Sequence, residues 1–221
     1  MNPASIETWL AVLCFGYPYV MAWYWMLGGV LFHALRERPE PPFDQPPALP
    51  RYPPVSVLVP CHNEAGQVEE TVAALDRVAY PAVEFIAVDD GSSDDTAARL
   101  EAMLDRYPRL RVVRLATNSG KATALNYGAL AANHEIVVCI DGDTLLDPHA
   151  LTWFVRRFHA DPGVGGLSGN PRIRNRTSVV GRLQVGEFSG IVGLLKRAQG
   201  VYGSLFTASG AICAYPKPEL Q

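Results

Sequence analysis

The feature that most constrains this chain is a run of 24 residues, Trp9 to Phe32, without one Asp, Glu, Lys, Arg or His. As a helix at about 1.5 Å per residue the run reaches roughly 36 Å, more than the ~30 Å of a bilayer's hydrocarbon core. It predicts a membrane span, with residues 1–34 as an anchor. Pro18 predicts a kink rather than an end, because membrane helices tolerate proline. Trp9, Tyr17, Tyr19, Trp23, Tyr24 and Trp25 supply amphipathic rings, several nearer the middle of the run than an interfacial belt requires. A cleaved signal peptide would need basic residues before a shorter apolar core, then a small-residue cleavage site. Residues 1–8 hold no Lys or Arg, and no A-x-A pattern follows. Arg36 and Arg38 follow the run, and the positive-inside rule then puts residues 34 onward in the cytoplasm.

Prolines at 39, 41, 42, 46, 47, 50 and 53 mark residues 35–54 as an extended linker, and a globular domain is expected over 55–221. With 48% hydrophobic residues in 221, the chain can bury a core, which excludes a disordered protein. A net charge of −3 argues against a nucleic-acid partner, which draws a basic excess onto one face. Cys14 falls in the span, and Cys61, Cys139 and Cys213 stand apart without a C-x-x-C pair. They suggest small core residues, not a zinc cluster or disulfide framework.

Strand-like runs at Val55–Val59, Glu84–Val88, Arg111–Leu115 and Ile136–Ile140 alternate with helical spacing over Gln67–Val78, Asp94–Tyr107 and Lys121–Ala132. A further helix is expected between Asp147 and His159. This order predicts an α/β fold with a mostly parallel sheet. Ligands of such sheets bind beyond the carboxyl ends of the strands. The segments found there are Pro60-Cys-His-Asn-Glu64, Asp89-Asp-Gly-Ser-Ser-Asp94, Asn118-Ser-Gly-Lys121 and Asp141-Gly-Asp143.

Asp141-Gly-Asp143 follows a strand with no polar residue, so both carboxylates sit at the rim of the core. Two such groups hold a divalent cation while water and phosphate oxygens complete its shell. An EF-hand loop is disfavoured by Leu145 and Leu146, which stand where a ligand and the turn glycine belong, and a plain surface turn is the competing reading. In Asp89–Asp94, Ser93 or Asp94 predicts a helix cap and Gly91 a turn. Those devices leave Asp89 and Asp90 unexplained, and ligand N–H or hydroxyl donors are the economical account of them. Gly120-Lys121 is not a P-loop, since Leu115 and Ala122 stand where Gly and Ser/Thr belong. Lys121 at a helix start still serves as a phosphate counter-charge. Gly163–Ser168 lacks the third glycine of a dinucleotide fingerprint. Residues 162–200 carry Arg172, Arg174, Arg176, Arg182, Lys196 and Arg197 against Glu187, among Leu183, Val185, Phe188, Ile191, Val192, Leu194 and Leu195. That mixture predicts an amphipathic segment lying against the membrane or against further helices.

Pro60–Glu64, Val88–Asp94, Asn118–Ala122 and Cys139–Asp143 resemble the motifs of membrane-bound, inverting family-2 glycosyltransferases of GT-A fold, the group of cellulose, chitin and hyaluronan synthases. Within that group the chain is most similar to the bacterial poly-β-1,6-N-acetyl-D-glucosamine synthases. Tyr17–Gly29, Gly169–Arg174, Val180–Glu187 and Val201–Gly210 carry the closer match. The resemblance implies a bacterial inner-membrane enzyme that takes UDP-GlcNAc, a poly-N-acetylglucosamine acceptor and Mg²⁺ or Mn²⁺. It also implies contact with membrane lipid and a small membrane partner protein. Pro60, His62, Asn63 and Glu64 would wall the nucleotide pocket, and Asp89 and Asp90 would meet the uracil or ribose. Lys121 would lie near the nucleotide, Asp141 near the ribose or metal, and Asp143 on the metal. Asn170, Arg172, Ser209 and Gly210 would face the acceptor.

Inversion requires attack on C1 opposite the departing UDP through an oxocarbenium-like transition state, with a carboxylate taking the acceptor's proton. In the family that base lies in a T/E-D motif followed by Q-x-x-R-W. Neither occurs in residues 1–221, and Glu187 and Asp161 do not match the pattern, so no catalytic base is assigned. The chain reads as an N-terminal fragment holding the donor half and the first part of the acceptor region. The alternatives are a silent UDP-binding membrane module and a hyaluronan-, chitin- or cellulose-type synthase using another UDP-sugar.

Overall fold

The computed structural model describes residues 3–174, 177–203, 205–206 and 208–217. Arg176, Ser204 and Thr207, which the sequence places in the basic stretch and in the Val201–Gly210 motif, lie outside the described residues. The helices are α1 (Pro3–Ala11), α2 (Tyr17–Phe32), α3 (Val68–Asp76), α4 (Thr96–Ala102), α5 (Lys121–Ala131), α6 (Ala150–Ala160), α7 (Val179–Phe188) and α8 (Lys196–Tyr202). The strands are β1 (Val55–Cys61), β2 (Val83–Asp89), β3 (Leu110–Arg114), β4 (Ile136–Ile140), β5 (Leu167–Ser168) and β6 (Ile212–Pro216). The chain divides into two compact units, Met1–Pro41 with Asn170–Thr207, and Pro42–Gly169 with Ala208–Gln221.

In the first unit, α1 and α2 join through a π-helical turn at Val12–Gly16, and a second such turn, His33–Glu37, extends α2. Ile6–Glu37 is long and apolar enough to cross a membrane. The widened turn falls directly before Pro18, whose ring has no N–H to donate to the carbonyl four residues back, and π turns recur at such points. Gly28 is buried where α2 meets α8, and Gly29 is buried against Leu194 just before it. A Cβ at Gly28 would lie 2.6 Å from that of Ala198, and one at Gly200 would lie 2.7 Å from the Phe32 ring. Small residues thus bring the two backbones together, as in membrane helix pairs. Tyr24 and Tyr202 stack at 4.9 Å, and Arg197 donates to Glu37 at 2.6 Å. The amphipathic stretch expected over 162–200 packs its Ala198–Gly200 side on the apolar helix and leaves Val179, Val180 and Leu183 exposed.

The second unit is a six-stranded sheet in the order β3-β2-β1-β4-β6-β5. Strands β1 to β4 run parallel, and β6 and β5 are antiparallel to their neighbours. Strand residues alternate between two cores, as the pleat demands. Val57, Phe85 and Val138 pack with Leu75, Leu100 and Leu151 of α3, α4 and α6; Leu58, Ile86, Val137 and Cys139 pack with Ala124 and Ala129 of α5. Strand β1 continues two residues past the expected Val59. Pairing with β4 ends at Leu58, so the missing N–H of Pro60 costs no ladder bond. The pair β5–β6 was not anticipated. Cys61, Cys139 and Cys213 are buried as expected, whereas Cys14 is exposed on the apolar helix.

At the amino edge the buried Glu84 accepts from Ser56 Oγ (2.6 Å), Asn133 N and Nδ2 (2.8 Å each) and Arg111 Nη1 (2.7 Å). Burial alone would raise its pKa, but these donors prevail and hold the carboxyl at about 2. This network fixes the sheet from the end opposite the carboxyl-edge loops.

Candidate functional site

Loops leaving β1, β2, β3 and β4 meet at the carboxyl edge of the sheet, and side chains tie them together. Asn63 adopts φ +56°, the left-handed region that Asn tolerates better than most residues. Its N–H donates to Ser92 Oγ (3.0 Å), and its Oδ1 accepts from Ser93 N (2.9 Å). Glu64 N donates to Thr96 Oγ1 (2.8 Å), and Ala65 N to Asp94 Oδ2 (3.2 Å). The first two loops are thereby zipped together through Asn63, Glu64 and Ala65. The cap expected from Ser93 or Asp94 takes a shifted form. Asp95 occupies the N-cap position without a side-chain bond, while Asp94 Oδ1 accepts from Thr96 N (3.0 Å) and from its hydroxyl. That hydroxyl bond holds the Asp94 carboxyl below the usual range.

Asp89 and Asp90 both have hydrogen-bond partners within the chain. Asp90 accepts from Ser119 N and Gly120 N, both at 2.8 Å, and joins the loop after β2 to the one after β3. Asp89 Oδ1 accepts from Ser92 N (3.2 Å), while its buried Oδ2 lies 3.6 Å from Arg114 Nε without a hydrogen bond. Gly91, at φ +60°, lets the loops close: a Cβ there would lie 2.5 Å from Asn118 N. His62 Nδ1 lies 2.9 Å from the Asp90 carbonyl, and its Nε2 lies 2.9 Å from Asn118 Nδ2 and 3.2 Å from Asn63 Nδ2. Pro60 is half-buried at the end of β1.

Lys121 opens α5 behind Gly120 and is ion-paired with Asp141; it also donates to the Gly210 carbonyl (3.3 Å). The expected phosphate counter-charge thus sits on a carboxylate. Asp143 is exposed, and the Gly142 carbonyl between the two aspartates accepts from Thr71 Oγ1 (2.7 Å), which fixes their loop to α3. Burial, reinforced by the negative charges of Asp143, Asp94 and Asp141, raises the Glu64 carboxyl above its ordinary value. The rim is therefore an electronegative surface around one lysine, suited to a divalent cation. Ser209 is buried and donates through its N–H to Ser168 Oγ (2.9 Å). Beside Lys121, a cavity of about 320 Å³ opens between α5 and the face of β4 and β6, lined by Leu58, Asn126, Cys139, Ser209, Cys213 and Tyr215 among others. A hydrogen bond with Cys139, helped by Tyr215 and Lys121, pulls the Cys213 thiol below its ordinary value.

Pro60, His62, Asn63, Glu64, Asp89, Asp90, Lys121, Asp141, Asp143, Ser209 and Gly210 therefore all belong to the second unit; Asn170 and Arg172 belong to the first. Sequence reasoning left out Asn118, Ser119, Gly120 and Thr96 as site residues. The Asn-Ser-Gly turn ahead of a helix was the available signal for the first three.

A parallel sheet with acidic loops at its carboxyl edge and an antiparallel strand beside β4 defines a GT-A-like fold. The structure is similar to the mannosyltransferase PcManGT from Pyrobaculum calidifontis in complex with GDP-Man and Mn²⁺, with TM-score 0.71 and 28% identity, covering 96% of this chain and 55% of that one. It is also similar to Staphylococcus aureus TarS in complex with UDP-GlcNAc, with TM-score 0.50 and 25% identity over 57% of this chain and 36% of that one. The profile of glycosyl transferase family 2 matches residues 56–217, and the chain belongs to that family. Poly-beta-1,6-N-acetyl-D-glucosamine synthase of Staphylococcus epidermidis is 34% identical over 209 residues, 93% of this chain and 50% of its own length. The chain spans about half the length of the curated relatives it matches.

Proposed function

We propose that this chain is the donor-binding half of a glycosyltransferase that moves N-acetylglucosamine from UDP-GlcNAc onto a growing β-1,6-linked polysaccharide at the cytoplasmic face of a bacterial inner membrane. The observation that carries the reading is the convergence of the Asp90 loop, Lys121 and the Asp141–Asp143 loop at one sheet edge. The 34% identity to poly-N-acetylglucosamine synthases supports the choice of sugar. In this reading Pro60, His62, Asn63, Glu64, Asp89 and Asp90 shape the nucleoside pocket. Asp90 acts there chiefly by holding the 118–120 backbone in place. Lys121 balances diphosphate charge, and Ser209 and Gly210 border the sugar and acceptor side, with Asn170 and Arg172 also assigned to the acceptor. Membrane lipid surrounds α2, and a small membrane partner protein completes the expected assembly.

Asp141 and Asp143 fit Mg²⁺ or Mn²⁺, because carboxylate oxygens are the donors such ions take. Among the described residues no cluster of three His, Cys, Asp or Glu could hold an ion alone, so diphosphate oxygens and water would fill the other positions. Bound there, the cation would stabilise negative charge on the leaving diphosphate. Lys121 would add a second positive charge from the α5 side, and Thr71 would keep the aspartate loop from moving away as charge develops.

Competition binding on the intact 221-residue chain in lipid nanodiscs, with Mn²⁺ present, tests the donor assignment. UDP-GlcNAc is expected to displace labelled UDP at least tenfold more effectively than GDP-mannose and better than UDP-glucose. Tighter binding of UDP-glucose would point to a cellulose-type donor, and tighter GDP-mannose would sink the uridine reading.

A further inference from the structure

We propose that His62 is a positioning residue that assembles the nucleotide pocket only as the neutral Nδ1–H tautomer, so that protonation at Nε2 loosens the pocket. The inference rests on the reading of this rim as a nucleotide site and concerns how that site is held and regulated.

The tautomer follows from its neighbours. The Asp90 carbonyl can only accept, so Nδ1, 2.9 Å away, must carry a hydrogen. Asn63 and Asn118 have their amide orientations fixed elsewhere. Asn63 Oδ1 accepts from Ser93 N (2.9 Å), and Asn118 Oδ1 accepts from Gly120 N (3.0 Å). Each therefore turns its NH₂ group to His62 Nε2, at 3.2 and 2.9 Å. Nε2 must accept, and the neutral ring thereby links the loops after β1, β2 and β3. An imidazolium would present a third N–H to two N–H donors and break both links. The other charged groups around the ring do not rescue them. Glu64 in its own loop feels the ring electrostatically without bonding it. Asp89 is engaged by Ser92 and Arg114, Asp90 by two amides, Asp94 by Thr96 and Ala65. Lys121 is held by Asp141, and Asp143 is exposed beside them. No carboxylate accepts from Nε2 among the described residues.

The test uses the intact chain in nanodiscs with ¹⁵N-labelled histidine, the His62 signals being assigned by their loss in His62→Phe. At pH 8 a pyrrole-type Nδ1 and a pyridine-type Nε2 are expected. Acidifying until the ring signals report an imidazolium is expected to place the added proton at Nε2. The amides of Ser93, Ser119 and Gly120 then lose protection, and UDP binds at least tenfold more weakly. His62→Phe is expected to bind weakly with a flatter pH profile, which also carries any titration of UDP itself. Asn118→Asp, which gives Nε2–H a carboxylate to donate to, is expected to reduce or reverse the loss at low pH. An Nε2–H tautomer at pH 8, or a His62→Phe profile as steep as wild type, overturns the proposal. If UDP binds at no pH, the nucleotide reading fails, while the ring signals and amide protection still decide the role of His62.

Discussion

Replacing Asp90 by asparagine changes almost nothing in shape and is expected to undo the join between the loops after β2 and β3. The carboxylate is buried and accepts from Ser119 N and Gly120 N at 2.8 Å each. Hydrogen bonds to a charged group contribute about 1.5–3 kcal/mol apiece. A carboxamide keeps one of them as a weaker, neutral bond and turns its NH₂ group on the other N–H, so the loss is about 2–4 kcal/mol. Gly120 N has a second acceptor in Asn118 Oδ1 at 3.0 Å, which favours the lower figure. At about 1.4 kcal/mol per factor of ten, the loop then opens at least about 30-fold more often. Amide hydrogen exchange on the intact chain reads this directly. Ser119 and Gly120 are expected to exchange at least about 30-fold faster in Asp90→Asn, with β1 and β2 unchanged. Protection at both amides within threefold of wild type would refute the structural role given to Asp90.

Glu84 carries an acid-sensitive share of the stability. Its folded-state pKa, about 2 against 4.5, means stabilisation of about 3 kcal/mol that is fully present above pH 5 and lost as pH falls through 4 towards 2; Glu84→Gln is expected to remove that part of the acid dependence in hydrogen exchange of β1 and β2. Gly91→Ala combines a left-handed φ with a Cβ against backbone, so about 2–4 kcal/mol of destabilisation is expected by denaturant titration, and a change under 1 kcal/mol would argue against the close approach of the two loops. In alkylation at pH 8 followed by mass spectrometry, Cys213, whose thiol its hydrogen-bonded neighbour Cys139 pulls down, is expected to react before Cys61, whose thiol burial and the charges of Glu64 and Asp89 push up to about 12.

What the sequence revealed and what it hid have separate physical causes. Strands β1, β2 and β4 were legible because each is a mostly apolar run, almost wholly buried, that ends in a cluster of polar residues, while the edge strand β3 showed through its alternation of Arg with Leu and Val. The placing of Asp90, Lys121 and Asp141 at one edge then followed from parallel topology alone. The antiparallel pair β5–β6 was hidden. Strand β5 has two residues, and β6 reaches β4 across more than seventy positions, so no local pattern announces either. The partners of Asp90 were hidden for the same reason, since the N–H groups it accepts from lie 29 and 30 residues away. Charge counting described residues 162–200 as amphipathic, but their packing on α2 depends on Gly28, Ala198 and Gly200, whose small size carries no hydropathy signal. Asn118 was visible as part of the polar segment after the third strand; its link to His62 requires the folded sheet.

The central claim is that the Asp141–Asp143 loop and the Asp90 loop form one metal-assisted nucleotide site. Calorimetric titration of UDP into the intact chain, with and without Mn²⁺, for wild type and Asp143→Asn tests it most directly. Binding that needs Mn²⁺ and weakens at least tenfold in Asp143→Asn is the predicted result. Equal UDP affinity with and without Mn²⁺, or in the variant and wild type, would contradict it.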